Sequence, residues 1–426
     1  MPYLLNLIYL LGLIIVSPWL LWRSLRTGRY REGFGEKLFG RVPRRRGDRT
    51  CIWLHAVSVG EVNLLQTILE TITREAPDLE CVISTTTKTG MELARKKYSQ
   101  HTVFYCPLDF TWAVKSAIRR IRPDMLLLAE LELWPNLIHY ARKAGAEVVV
   151  VNGRISDRSF KGYRKLGPLL RPVMRKLSAV AAQDETTAER FINLGVPQEN
   201  VTVTGSVKFD GAQTDRGNPD TVRFAELSGI ESEETVFIAG STQSPEEEAA
   251  IEVYRNLHKD FPQLRLIIVP RHPERFDEVA DLLARSGMPW IRRSDLTSAQ
   301  PSTDKPIILV NAVGELRSWW GLAQIAFVGG SWGSRGGQNM LEPSGYGAAV
   351  SFGPLTRNFR DIVAMLLAAE AAVVVANQEQ MEQFVRQCLR SPEYASNLGE
   401  KARNLVLSQQ GAVDKTYSIV RESLSD

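Results

Sequence analysis

Apolar runs alternate along this chain with segments whose apolar positions recur at helical spacing. Residues 51–54 are uninterruptedly apolar, and after Ser58-Val59-Gly60-Glu61 the positions Val62, Leu64, Leu65, Ile68 and Leu69 fall on one helical face. The unit repeats, with strands predicted at 80–84, 103–106, 125–128, 147–151, 179–182 and 201–203 and helical patterns between them. Such alternation predicts a parallel sheet covered by helices on both faces. Residues 211–234 are polar, carry Gly211, Gly217, Pro219 and Gly229, and sustain no apolar period, which predicts a linker. The alternation then restarts, with strands expected at 236–239, 264–269, 307–310 and 325–328, and residues 381–424 read as amphipathic helix.

Residues 3–22 break the pattern. Only Asn6 and Ser17 are clearly polar there, and the length matches the hydrocarbon core of a bilayer. Tyr3 at one end and Trp19 and Trp22 at the other suit interfacial anchors. A basic start and a small-residue cleavage site are both missing, so the stretch does not read as a signal peptide. A spanning helix is expected; a monotopic helix lying in the interface, favoured by Gly12 and Pro18, is the alternative. Next come Arg23, Arg26, Arg29, Arg31, Lys37, Arg41, Arg44, Arg45, Arg46 and Arg49, against Glu32, Glu36 and Asp48. That asymmetry places the following body on the cytoplasmic side of an inner membrane and suits anionic lipid rather than nucleic acid. The expected division is an anchor helix at 1–22, a basic segment at 23–50, an α/β domain at 51–210, the linker at 211–234, a second α/β domain at 235–400 and a terminal helix at 401–426.

Composition adds little that conflicts. A chain of 426 residues with 44% hydrophobic and 23% charged positions is a folded protein of about two domains. The net charge of +4 is small and concentrated behind the first helix. Cys51, Cys81, Cys106 and Cys388 are scattered without CxxC pairing, as buried thiols in a reducing compartment are. The five histidines have no metal-ligand spacing, so neither a metal nor a cofactor is expected.

Candidate chemistry gathers just after the strands. Glu61, then Thr85, Thr86 and Thr87, then Glu130 and Glu132, then Asn152 and Arg154, then Gln183 all fall on one rim of a parallel sheet. Glu61 reads either as a cap of its helix or as an acid for base catalysis. The second acid, Glu130 or Glu132, is either part of a hydrogen-bonded turn or a site residue. Ser156, Arg158, Lys161, Arg164 and Lys165 form a basic loop: a solvated face, or a contact for an acidic or phosphorylated substrate. In the second half, the Gly240-Ser241 turn precedes a helix opened by Glu246, Glu247 and Glu248, so it is a phosphate cradle or merely a capped helix start. Glycines at 329, 330, 333, 336 and 337 surround Ser331, Asn339 and Glu342, letting backbone approach a ligand closely, and Glu342 suits two ribose hydroxyls.

The order of these motifs resembles the bacterial 3-deoxy-D-manno-octulosonic acid (Kdo) transferases of lipid A core assembly. The matching stretches are HAVSVGEVN at 55–63, TTTKTG at 85–90, ELELWPNL at 130–137, NGRISDRSFKGY at 152–163, VTVTGSVKFD at 201–210 and GSTQSPEEE at 240–248. PRHPERF at 270–276, GEL at 314–316 and FVGGSWGSRGGQNMLEPSGYGAAVSFGP at 327–354 complete them. The resemblance implies an α/β GT-B glycosyltransferase, two Rossmann-like domains facing a cleft. It implies CMP-Kdo as donor, bound mainly by the second domain, and a lipid A precursor as acceptor on the first. It makes Glu61 the general base of an inverting transfer and Glu132 a second important acid. Ser241, Arg271, His272, Gly314, Glu315, Asn339 and Glu342 fall on its donor-site motifs, with Arg271 and His272 suited to the leaving phosphate. Arg154 and Arg158 are expected to meet the acceptor. Gln338 stands where the family often has His, and Lys88 where Pro is common. The competing expectations are a membrane-associated GT-B enzyme with a UDP donor and a non-catalytic scaffold that binds lipid A precursors.

Overall fold

The computed structural model describes residues 2–27, 32–296 and 305–425, so Met1, Arg29, Arg31 and Asp426, parts of the anchor, the basic segment and the last helix, lie outside the described residues. Two compact units form: Met1–Gly211 together with Gln410–Asp426, and Ala212–Gln409.

The first unit carries seven strands: β1 (Cys51–His55), β2 (Glu80–Thr85), β3 (Thr102–Tyr105), β4 (Met125–Ala129), β5 (Glu147–Gly153), β6 (Ala179–Ala182) and β7 (Val201–Val203). Their order is β3-β2-β1-β4-β5-β6-β7, and every neighbouring pair is parallel. β1 and β4 are buried along their whole length, which is why they read as apolar runs without alternation. The pleat divides them between two cores. Trp53, Leu126, Leu128, Val148 and Val150 pack with the Thr111–Ile121 and Pro135–Lys143 helices. Ile52, Leu54, Leu127, Val149 and Val151 pack with the Val59–Glu75 helix on the other face. The last helix, Ala412–Ser425, joins that second core through Ala412, Val413 and Val420, so the chain ends in its first unit.

The second unit repeats the plan with β8 (Thr235–Thr242), β9 (Leu264–Pro270), β10 (Trp290–Arg292), β11 (Ile307–Leu309), β12 (Ile325–Val328), β13 (Ala349–Phe352) and β14 (Ala372–Val374), in the order β10-β11-β9-β8-β12-β13-β14. The strand order reverses between β1 and β4 in the first sheet and between β8 and β12 in the second, where β11 is also inserted between β9 and β10. Open α/β sheets bind ligands beyond the carboxyl ends of the strands at such a reversal.

Residues 211–234 are not a free linker. Pro219–Ser228 is a helix capped by Asn218, whose side chain accepts from the Thr221 amide at 3.0 Å. Phe224 stacks on Trp319 with ring centroids 4.6 Å apart. The Arg216 guanidinium donates to the Tyr346, Gly321 and Ala323 carbonyls at 2.8, 2.9 and 2.7 Å. Polar side chains do the fastening here, so an apolar period was absent. The first helix, Pro2–Thr27, is longer than expected, and it is long and apolar enough to cross a membrane.

Candidate active site

β1 ends at His55, and Ser58 caps the helix that follows. The Ser58 hydroxyl accepts from the Glu61 amide at 3.3 Å and donates to Glu61 Oε1 at 2.7 Å, while the Val57 amide donates to Oε2 at 2.8 Å. This is a capping box, closed by the sequence Ser-x-x-Glu itself. Glu61 is only 9% exposed. Burial raises its carboxyl above the usual range against the opposing Val57 and Ser58 hydrogen bonds, and the Glu130 charge adds to the rise.

Glu132 follows β4, the strand beside β1 at the reversal. Burial first and the Glu61 charge second push its carboxyl up to about 7, with the Trp134 indole N–H, 2.9 Å from Oε2, pulling the other way. Glu61 has two donors and Glu132 one, which favours the charge on Glu61 and the proton on Glu132. Glu130 has φ +52° and pairs with Lys208 at 3.3 Å, while its charge acts on both Glu61 and Glu132. A non-glycine in the left-handed region at the end of a central strand marks a backbone bent for position.

Other residues of this rim are spent on the fold. The Thr85 and Thr87 hydroxyls donate to the Val57 carbonyl at 3.2 and 3.0 Å, clamping the loop that holds Glu61. Asn152 accepts from the Val207 amide at 3.0 Å, and the Gln183 side chain donates to the Asn152 carbonyl at 3.1 Å. Arg154 is half-buried at this rim, whereas Arg158 is exposed on the Asp157–Lys165 helix with Lys161, Arg164 and Lys165.

In the second unit Ser241, the penultimate residue of β8, has φ +55° and is buried. The glycine loop after β12 is occupied by protein. Glu246, 1% exposed, accepts from the Gly330 and Gln243 amides at 2.7 and 2.9 Å through Oε2 and from Ser331 and Trp332 at 2.9 and 3.1 Å through Oε1. Burial raises this carboxyl although all four amides lower it. Three amides of the glycine loop expected to approach a ligand, and the Gln243 amide of the turn expected to cradle a phosphate, therefore bind a carboxylate from the first turn of the helix after β8. Glu246 was readable only as a helix cap, because its partners lie some 85 residues downstream.

The remaining candidates of this unit divide. Glu315 is engaged by Arg293, Nε at 2.9 Å and Nη2 at 3.2 Å, and by the Trp319 indole at 3.3 Å. Gly314 is exposed with φ +91°. The Arg271 amide donates to the Thr242 carbonyl at 3.1 Å, tying the end of β9 to that of β8, and its side chain is exposed. His272 is half-buried, 3.7 Å from Glu274. Asn339 donates to Glu342 Oε1 at 3.2 Å and accepts from the Leu341 amide at 3.1 Å. Burial raises Glu342, while Asn339, then the charges of Arg317 and Arg271, lower it. Arg271, Arg317, Asn339 and Glu342 thus act on one neighbourhood.

Residues 31–211 match the family model described as 3-deoxy-D-manno-octulosonic-acid transferase (kdotransferase). A 3-deoxy-D-manno-octulosonic acid transferase of Haemophilus influenzae is 32% identical over 410 residues, covering 94% of this chain and 93% of its own. This chain belongs to the Kdo transferase family. A Bordetella pertussis member is 30% identical over 432 residues, covering 98% of this chain and 99% of its own. Among solved structures, a glycosyltransferase of Rickettsia africae superimposes with a TM-score of 0.54 at 13% identity, covering 89% of this chain and 100% of its own. That likeness is one of fold, the two-unit α/β GT-B architecture. The chain is a glycosyltransferase.

Proposed function

We propose that this enzyme moves Kdo from CMP-Kdo to a hydroxyl of a lipid A precursor, lipid IVA, with inversion at the anomeric carbon and Glu61 as general base. The observation that carries the reading is the coupling of Glu61 and Glu132 at the β1–β4 reversal. Buried Glu61 and half-buried Glu132 repel one another, and Glu132, pushed up to about 7, keeps its proton while Glu61 ionises. The acceptor O–H bond then breaks toward Glu61, and the acceptor oxygen bonds to the anomeric carbon of Kdo. The bond from that carbon to the CMP phosphate oxygen breaks, and its electron pair leaves with CMP.

Arg271 and His272 neutralise the departing phosphate. Ser241, Gly314, Glu315, Asn339 and Glu342 bind the donor, Glu315 with its carboxylate oriented by Arg293. Glu246 holds the glycine loop that presents Asn339 and Glu342. Arg154 and Arg158 meet the acid groups of the acceptor. The first helix and the basic residues behind it keep this chemistry at the cytoplasmic leaflet of the inner membrane.

The test is transfer by the purified protein with CMP-Kdo generated in situ and lipid IVA, with the product anomer read by NMR. Inverted Kdo–lipid product supports the reading. Consumption of UDP-sugars alone would assign the site to a UDP donor, and binding of lipid IVA without turnover would make the protein a scaffold.

A further inference from the structure

The first helix has two unlike faces. At ~100° per residue, Asn6, Tyr9, Leu13 and Ser17 fall in one stripe, and Leu4, Ile8, Leu11, Ile15 and Trp22 fall opposite. The first four are its more sheltered positions, whereas Ile15 is 77% exposed and Leu4, Ile8, Leu11 and Trp22 each more than half.

The sheltered stripe is fastened to the protein. The Asn6 side chain donates to Thr111 Oγ1 at 2.8 Å and accepts from the Thr111 amide at 3.0 Å, capping a helix whose own preceding residue, Phe110, offers no side-chain cap. The Tyr9 hydroxyl donates to Asp109 Oδ2 at 3.1 Å, and its ring meets Phe110 edge-on at 6.0 Å. The segment after the helix returns to the same loop. The Leu108 amide donates to the Lys37 carbonyl at 2.8 Å, and the Trp112 indole to the Leu38 carbonyl at 2.9 Å. Residues 108–112 therefore grip the chain both near the start of its apolar stretch, at Asn6 and Tyr9, and beyond its end, at Lys37 and Leu38.

A helix crossing a bilayer needs its two ends ~30 Å apart on opposite sides. Here, were the helix to dip into hydrocarbon from its held start, the chain would have to come back within the same leaflet. Lipid-exposed backbone outside a helix is not tolerated there, and neither are the charges of Arg29, Arg31 and Glu32. We propose that the helix lies in the plane of the membrane, between the first unit and the lipid, with its Leu4–Ile15–Trp22 face in the acyl boundary of an anionic bilayer. The Arg23 and Arg26 guanidinium groups, 4.9 and 5.2 Å from the Trp19 and Trp22 rings, put the cationic end at headgroup depth.

This docking reaches the reaction rim. Asp109, which receives Tyr9, also accepts from the Asn136 and Leu137 amides at 3.0 and 2.8 Å, capping the helix that follows Glu132 and Trp134. The loop that seats the membrane helix is thus the one that seats the Glu132 segment.

The inference rests on the membrane association proposed above and is tested separately from it. One full-length variant carries a single cysteine on a short Gly-Ser extension ahead of residue 1. A second carries Val222→Cys, at an exposed position of the second unit. The native cysteines are buried. Recovery with the membrane fraction checks the association. Labelling by a membrane-impermeant maleimide then compares spheroplasts with inside-out vesicles. The in-plane helix predicts that both cysteines label from the same side. Membrane-bound protein whose two cysteines label from opposite sides would overturn the in-plane helix and leave the association standing. Loss from the membrane fraction would overturn both.

Discussion

Glu246→Gln tests how the second unit holds its glycine loop. In the native protein one carboxylate satisfies four buried amides. A glutamine keeps one acceptor oxygen for two of them and turns an amide NH2 toward the other two. Each orphaned buried donor costs about 1–3 kcal/mol, and relief of the buried charge returns part of that. A net loss of roughly 3 kcal/mol follows. For a unit the size of Ala212–Gln409 the melting temperature moves by roughly 2–4 °C per kcal/mol, so a drop of ~6–12 °C is expected by calorimetry. Titration with CMP should show weakened binding, since Asn339 and Glu342 lie on the same loop. A variant that melts within ~2 °C of the parent and binds CMP equally would refute the assignment, because the four amides would then have found other partners at no cost.

Replacing Glu132 by Gln fixes a neutral side chain where burial, and then the Glu61 charge, already hold the native carboxyl protonated up to about 7. The acidic limb of the pH profile of kcat/KM should therefore stay in place, and a limb moved to lower pH would show Glu132 charged where Glu61 titrates. Ser58→Ala removes both the cap and one donor to Glu61. It should cost about 1 kcal/mol in denaturant unfolding and move the same limb to higher pH, which the Glu132 variant should not. Asp109 is pushed up to about 6 by burial. Its folded form holds the proton more tightly than the unfolded chain, so the stability it contributes is greatest below pH ~4 and falls as pH rises through about 6. Wild type should lose stability relative to Asp109→Asn across that window in paired melts.

Most of the architecture was legible because parallel strands buried on both faces leave unmistakable apolar runs, as residues 51–54 and 125–128 do. β10, β13 and β14 escaped because β10 and β14 are only partly buried and β13 carries the polar Ser351 inside its buried run. The 211–234 segment was misread because Arg216 and Phe224 fasten it by contacts with residues a hundred positions away. At the site, the Ser58–Glu61 pair was visible since both partners lie in one turn. Its coupling to Glu132 required knowing that β1 and β4 are neighbours. Thr85 and Thr87 stood on the predicted rim, but only the fold reveals that they clamp the Val57 carbonyl. The cap reading of Glu61 and its proposed role as the base concern the same carboxylate: the helix start positions it, and burial raises it above the usual range.

That double role makes Glu61→Gln the most direct measurement. Gln keeps the size and a hydrogen-bonding oxygen, so the melting temperature and CMP affinity should stay near those of the parent. Kdo transfer to lipid IVA under saturating substrates should fall by about 10²–10⁴-fold, the contribution of a general base. A folded, CMP-binding Glu61→Gln enzyme that retains near-full kcat would contradict Glu61 as the base.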